Sequence, residues 1–467
     1  MNIWPFAKKQ NRYAPSKAQL KARNFNSGEQ SRLYDGWTTS TSSVDAFLAR
    51  QLTVMRARSR EQSRNDPLYK RAISVMQKNI VGASGIQVHP KVRATKGREG
   101  TDRPANQAIK KNWLEWSDQA DVNGRLTFVE MMGLGIRSAA VDGEFILRRH
   151  FSGNWGLQFQ VIDPELLDAT RCQTESNGNI TRLGVEYSDG RAVAYWFREV
   201  DEYGNYYSGK QTRVPAHLII HGFLTDWVDQ SRGVPWGYST ALKQKGLDSM
   251  DHSALTAARA GASKMGFITG GNDDDDELDG EQAVMDFSPG TIDKLGEDEE
   301  FQGFDPSYPN EVYAPFSQKF QRDIACGWDL TYATLTGDMS DVNYSSIRFG
   351  GQSEREGHID RQNWLIRICV RPIYEEVIRN SILRERIRIG NTPLSRPVTE
   401  YYPAHYQGQR WASTDPMKES RSNASDIENN INSPQRIIAA RGDDPDEILE
   451  ELLEWKTATA GLQNEIS

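Results

Sequence analysis

Fourteen acidic residues and one basic residue, Lys294, lie between Gly271 and Asp305. Asp273, Asp274, Asp275 and Asp276 are consecutive, with Glu277, Asp279 and Glu281 close behind. Glu297, Asp298, Glu299 and Glu300 form a second cluster. Clustered carboxylates can hold divalent ions for a nuclease or phosphoesterase, or can build a calcium loop. The spacing supports neither: the acids keep no fixed interval, lack the glycine of a calcium loop, and sit beside glycines in a loop-like stretch. The remaining chemistry is electrostatic. Such a surface meets a basic partner, or it avoids sticking to a polyanion.

Other candidates for chemistry are weaker. His217 and His221 bracket the strand-like Leu218-Ile219-Ile220, where alternation puts them on one face, but no third metal ligand accompanies them. No GxxxxGK[ST], GxSxG or HExxH pattern occurs. Gly133-Leu134-Gly135 falls inside a helical pattern and is no dinucleotide fingerprint. Asp163-Pro164, after a strand, reads as a cap and not as a catalytic acid. The expectation is a non-enzyme without metal or cofactor. Cys172, Cys326 and Cys369 are odd in number and far apart, which argues against a disulfide framework and points to a reduced, cytoplasmic origin. No run of about 18 apolar residues predicts a membrane span. The start, MNIWPFAKKQ, does not read as a secretory leader.

The net charge of −8 conceals an asymmetry, for residues 1–71 carry fourteen Lys and Arg against five Asp and Glu. At 467 residues the chain is long enough for more than one domain. Residues 1–43 read as a flexible basic arm. Asp45 is placed to cap a helix to about Arg60, and Asp66-Pro67 to start another that ends at Gly82. A strand over 86–88 follows, then a helix over 105–118 with Trp113 and Trp116 on a core face. Thr127 and Glu130 form a capping box for a helix to about Val141. Alternation then predicts strands in GEFILRRHF, GLQFQVIDP, RLGVEYSDGRAVAYWFR and AHLIIHGF, with a hairpin turn at SDGR.

Beyond residue 233 the pattern is helical. One helix, about 237–264, carries a stripe of Leu242, Leu247, Met250, Leu255 and Ala258 and leads into the acidic segment. A short strand-like part is expected at 284–295, and a return helix spans about 311–328. After the loop 337–344, a long helix runs from about Ser345 to Leu383, with Pro372 expected to kink it. Arg348, Arg355, Arg361, Arg367, Arg371 and Arg379 decorate that helix. Asp415-Pro416, Ser433-Pro434 and Asp444-Pro445 each start a C-terminal helix.

Six segments, in order, resemble one family, the portal proteins of tailed bacteriophages in the lambda-like group. They are RNDPLYKRAISVMQKNIVGASGIQV, LTFVEMMGLGIRSAAVDGEFILRRHF, FQVIDPELLD, LIIHGFLTDWVDQSRGVPWGYSTAL, DVNYSSIRFGGQSERE and the C-terminal stretch from Trp411. The strongest is built around Gln230, Arg232, Gly233, Val234 and Pro235. The fifth matches an xYSxxR pattern at Tyr344, Ser345, Ser346 and Arg348. One departure is clear: the C-terminal I-x-x-G-x-x-S reads Ile427 to Ser433 with no glycine.

The resemblance implies an α+β portal fold. Its parts are a mixed α+β wing (44–232), a stem helix (233–264), a small α/β clip (265–310), a second stem helix (311–330), a tunnel loop, long kinked helix and return to the wing (331–408), and a helical crown (409–467). It implies a ring homo-oligomer, usually a dodecamer, at one capsid vertex of the virion, assembled in the host bacterial cytoplasm. Double-stranded DNA passes through such rings. The terminase large subunit, a head–tail adaptor, and major capsid and scaffolding proteins are the implied partners, and no membrane is. Asp338, Met339, Ser340, Asp341, Val342, Asn343 and Tyr344 become the DNA-facing tunnel loop. Asp273–Asp276, Glu277 and Glu297–Glu300 become docking residues on the clip. Arg232, Gly233, Pro235, Ser345 and Arg348 become structural motif positions. The long-helix arginines are expected to pair with acids of neighbouring subunits. A metal-dependent nuclease and another structural head–tail connector protein remain the alternatives.

Overall fold

The computed structural model describes residues 36, 38, 41–94, 100–203, 206–262, 266–269, 300–303, 313–340, 343–411 and 415–466. By its contacts the chain divides after Ser43, and the larger compact unit is Val44–Ser467.

The larger unit begins with helix α1 (Val44–Asn65), which buries Leu48, Leu52, Arg56, Ser59 and Ser63, a stripe at helical spacing that includes a guanidinium. Asp45 does not cap it. The helix begins one residue earlier, and the Asp45 carboxylate accepts instead from the Ser231 N–H at 2.9 Å and the Ser231 hydroxyl at 2.6 Å. Helix α2 (Pro67–Ile80) starts as expected: Asp66 accepts from the Tyr69 N–H, and Gly82 follows the last turn at φ +72°. Strand β1 (Gln87–Pro90) and helices α3 (Arg103–Ser117) and α4 (Phe128–Asp142) come next, α4 with both halves of its capping box formed. Trp113 and Trp116 are buried and stack with centroids 5.1 Å apart.

Gly143, at φ +88°, turns the chain from α4 into β2 (Glu144–His150). Strand β2 is the middle strand of a three-stranded antiparallel sheet, between β3 (Gln158–Ile162) and β9 (Ile219–Phe223). Strands β4 (Gln173–Thr174), β5 (Ile180–Arg182), β6 (Val185–Ser188), β7 (Arg191–Val200) and β8 (Tyr206–Pro215) form a five-stranded meander. Its β6–β7 turn is Asp189-Gly190, both at positive φ as a type I′ hairpin requires. Strand β8 is not expected from the sequence, because YYSGKQTRVP has no apolar alternation. Pairing with β7 holds it.

Two helices then run antiparallel. Helix α5 (Ala241–Ala262) and helix α6 (Tyr313–Gly327) touch at Lys243–Asp323 (2.5 Å), at Gly246 beside Phe320, and at Asp251–Tyr313 (2.5 Å), so register falls on one as it rises on the other. At 1.5 Å per residue α5 is about 33 Å long. Its expected single stripe divides: Leu247 is buried and Met250 half-buried, while Leu242, Leu255 and Ala258 are exposed. Strands β10 (Gly266–Thr269) and β11 (Glu300–Gly303) pair antiparallel, with Thr269 opposite Glu300, so the ends of the intervening acidic segment are neighbours. The strand-like part expected at 284–295 lies outside the described residues.

Helix α7 (Tyr332–Thr336) precedes the 337–344 loop. Helix α8 (Tyr344–Leu365) then passes through a π-helical turn, Ile366–Val370, into α9 (Arg371–Leu383). The expected interruption at Pro372 therefore takes the form of a widened turn. The Arg371 N–H reaches back to the Ile366 carbonyl, which lets the proline enter a continuing helix. The short strands β12 (Arg388–Ile389) and β13 (Thr392–Pro393) pair with each other, and β14 (Ala404–Gln407) pairs with β1. Helices α10 (Pro416–Glu428), α11 (Pro434–Arg441) and α12 (Pro445–Ile466) end the chain, the first two capped by Asp415 and Ser433 as expected. Between α10 and α11, Asn430 occupies the position of the missing glycine at φ +56°. Asparagine tolerates the left-handed region better than other non-glycine residues, so the turn survives the departure.

The main core joins α2, α3, α4, the three-stranded sheet and α8–α9. A second apolar cluster lies between the three-stranded sheet and the meander, through Ile146, Leu167, Val185, Tyr195, Phe197, Val214 and Ile219.

Candidate functional site

The sequence segments with the most distinctive spacing separate into buried and exposed groups. The buried group centres on Glu144, the first residue of β2, and Arg232, both fully buried. The Arg232 guanidinium uses every N–H it has. Nε and Nη2 reach the Glu144 carboxylate at 2.9 and 2.6 Å. Nη1 donates to the carbonyls of Leu167 (3.1 Å) and Leu183 (2.7 Å), and Nη2 also to that of Pro164 (3.1 Å). Glu144 accepts in addition from the Gly233 N–H at 2.9 Å, and its Oε2 lies 3.0 Å from His221 Nε2. Arg56 of α1 adds an ionic contact of 2.8 Å to Glu144 and donates to the Asp142 carbonyl at 2.8 Å. Beside it Arg60 bridges Asp142 and Asp163 at 2.6 and 2.5 Å.

Burial would push the Glu144 carboxyl up, but Arg232, Arg56 and His221 outweigh it and hold it well below the carboxylate range. The Arg56 guanidinium is lowered as well: burial and Arg232 outweigh the pull of Glu144. The cluster ties α1, β2, the meander and the residue 230–235 turn to one carboxylate. The turn is fixed from every side. Gln230 accepts from the Asp226 N–H and donates to the Arg232 carbonyl, and Gly233 lies so close to Gly143 that a Cβ would come within 2.0 Å of the Gly143 oxygen. Pro235 is buried at its end. This turn feeds directly into α5.

His217 and His221 do not share a face. His217 sits in a single 3-10 turn (Ala216–Leu218), and His221 is committed to Glu144. The expected shared face fails because the apolar run begins as that turn and only Ile219 onward is strand. Asp163 caps the short turn at Pro164–Leu166, as expected. Among the described residues, no group of three or more His, Cys, Asp or Glu is placed to hold a metal ion.

The exposed group is the 337–344 loop. Asp338 accepts from the Ser340 hydroxyl at 2.6 Å, the Ser340 N–H at 2.9 Å and the Tyr332 hydroxyl at 3.0 Å, and these hold its carboxyl below the ordinary value. Met339 is 58% exposed. Asn343 accepts from the Ser345 hydroxyl at 2.9 Å. Ser345 and Arg348 are exposed too, so neither has a core role within one chain. Asp341 and Val342 lie outside the described residues, and the side chain of Tyr344 is not described. Of the acidic candidates, Glu300 is on β11; Asp273–Asp276, Glu277 and Glu297–Glu299 lie outside the described residues.

The long-helix arginines partly answer within the chain. Arg361 pairs with Asp329 at 2.6 Å, Arg355 lies over Trp411, and Arg371 lies over Tyr406. Asp329 stands in the loop before α7, Tyr406 on β14 and Trp411 beyond that strand.

The family model described as "Phage portal protein, lambda family" matches residues 30–362, and the chain belongs to that family. Its members are structural proteins of phages. The "Probable portal protein" of Halomonas phage phiHAP-1 is 28% identical over 450 residues, covering 92% of this chain and 86% of its own length. Portal protein B of Escherichia phage lambda is 23% identical, covering 88% of this chain and 85% of its own length. The portal protein of Escherichia phage N15 is 22% identical over 88% of this chain and 86% of its own. A chain from the neck of the native gene transfer agent particle, computed with C12 symmetry, overlays with a TM-score of 0.45 at 11% identity, covering 85% of this chain and 94% of that one. The chain is a member of the phage portal family by sequence, and its body is mixed α+β.

Proposed function

We propose that copies of this chain close into a ring, a dodecamer as is usual in the family, at one vertex of a phage capsid. Double-stranded DNA enters and leaves through its channel, and the terminase and a head–tail adaptor dock on its outer end. The observation that carries this reading is the family match over residues 30–362. In this reading the body is the wing, α5 and α6 are the stem, the β10–β11 ladder is the base of the clip, 337–344 is the tunnel loop, and α10–α12 are the crown.

The charge distribution suits such a passage. Each Lys or Arg on a phosphate adds salt-dependent affinity, and tight contacts brake a moving duplex. The tunnel loop offers Asp338, Met339 and Asp341 and no base. The acidic segment repels phosphate if it faces the lumen and attracts basic partners if it faces outward. The reading includes no hydrolytic activity.

Native mass spectrometry of the purified chain at high concentration tests it. A closed oligomer is expected, and a persistent monomer contradicts it. DNA cleavage with magnesium or manganese that disappears on mutating Asp273–Asp276 favours the nuclease reading instead. Charge reversal at Asp273–Asp276 is expected to weaken motor or adaptor docking with rings intact. Rings that fail to form in that variant remove the docking role from this segment.

A further inference from the structure

Helix α12 is docked by charge and not by packing. Lys91 Nζ reaches Asp444 and Asp446 at 2.9 and 2.7 Å, and His89 Nδ1 lies 3.1 Å from Asp444. Lys110 pairs with Glu447, Arg103 lies 3.8 Å from Glu450, and Gln107 donates to Glu450 at 3.3 Å. Every partner on the α12 side is a carboxylate. The partners on the body belong to β1, to Lys91 just after it and to α3, and none of them is an acid. A helix that stays on a globular body normally buries an apolar stripe against it. None of the described residues of α12 is buried or belongs to an apolar cluster, and Leu449, Leu452, Leu453 and Trp455 are exposed.

Two further features turn this attachment into a hinge. The contacts all fall between Asp444 and Glu450, at one end of a helix that continues to Ile466, about 24 Å beyond the last of them. At the same end Gly442, at φ +114°, separates α12 from α11, while α11 has its own tie to the body, the Gln407 amide on the Ala439 carbonyl at 2.8 Å. A glycine in that region of backbone space gives the chain a pivot. The grip itself is open to solvent. The Lys91, Lys110 and Arg103 side chains are 31, 29 and 49% exposed, so salt reaches the pairs. Ion pairs of this kind are individually weak and are screened by salt.

We propose that α12 is a latched arm: charge pairs with β1 and α3 hold it on the body at low ionic strength, and rising ionic strength frees it to pivot about Gly442. Release bares the cationic row His89, Lys91, Arg103 and Lys110. The contacts lie within one chain, so the inference stands apart from the ring reading.

Hydrogen exchange of the full-length chain, read by mass spectrometry, tests the latch. Sodium chloride is raised from about 0.1 M to about 1 M, where the screening length falls from about 10 to about 3 Å. A released helix frays, because isolated helices are marginal in water. Peptides covering 444–455 are expected to exchange several-fold faster at high salt, while those covering α4 do not change. Lys91→Glu is expected to give the fast exchange already at low salt and to remove most of the salt response. Lys110→Glu or Glu447→Lys alone is expected to speed exchange of the same peptides. The two together are expected to restore protection, since the pair re-forms with its signs exchanged. Equal exchange at both salts, with Lys91→Glu behaving as the unmutated chain does, overturns the proposal. Loss of protection in α12 and α4 together overturns it too, because the arm then does not move apart from the subunit. If the double change fails to restore protection that each single change removes, charge is not what holds the helix, and the latch is contradicted.

Discussion

Arg232 and Arg348 belong to two short segments that both resemble the portal family, yet they end in opposite environments. Arg232 is fully buried with each N–H engaged, and the turn around it touches α1, β2 and the meander. Arg348 is exposed on the first turns of α8. The difference separates two reasons for a distinctive sequence. The first segment solves a problem inside one chain: it anchors the turn that launches the helix pair. In the second, Ser345 and Arg348 are exposed and contribute to no core of the chain.

The largest effects should follow from breaking the buried cluster. Glu144→Ala or Arg232→Ala leaves a buried charge without its partner and is expected to cost roughly 3–5 kcal/mol. Arg348→Ala is expected to stay within about 0.5 kcal/mol of the unmutated chain, as exposed substitutions do. Denaturant unfolding of the three variants measures both arms, and equal losses would erase the distinction. Arg232→Lys should recover little of the loss, because an ammonium cannot reach the carboxylate and three carbonyls at once. Gly233→Ala comes next, at about 1–3 kcal/mol, since its methyl group meets the Gly143 carbonyl and the backbone must shift.

The buried carboxylate also sets a pH dependence. The Glu144 carboxyl is depressed in the folded chain, so its contribution is fully present above the ordinary glutamate value of about 4.3 and is lost as pH falls below that. Stability of the unmutated chain should therefore drop more steeply below pH ~4 than that of Glu144→Gln, with a smaller share from Glu186, held at about 2 chiefly by Arg213. Parallel acid titrations of the two proteins contradict the assignment. A small effect is also expected at Asp338→Asn, where loop bonds to Ser340 and Tyr332 weaken but no core packing changes; subunit stability should move by less than about 1 kcal/mol, leaving packaging as the readout.

Much of the fold was legible locally. Asp66-Pro67, Thr127 with Glu130, Asp415-Pro416 and Ser433-Pro434 begin helices where their side-chain chemistry puts them. Strand β8 was not legible, because its residues carry no alternation and only the β7 ladder fixes them. Nor was the cluster around Glu144. Arg56, Glu144, His221 and Arg232 are far apart in sequence, and nothing local in α1 says that Arg56 lies on the inward stripe with Leu48 and Leu52. A usable signal did exist: Glu144 opens an apolar strand, and Arg232 sits between Ser231 and Gly233 with no neighbouring acid. Likewise the α5 stripe failed as a single face: Leu247 joins the main core with Met250 packed against it, while Leu242 and Leu255 are exposed.

The claim that the exposed segments serve a ring while the buried one builds the subunit is tested most directly by electron microscopy of the purified, unmutated chain. The account predicts closed rings with a central hole, lined by the 338–344 segments of successive copies. Isolated monomers, or rings that carry those segments on the outer rim, would contradict it.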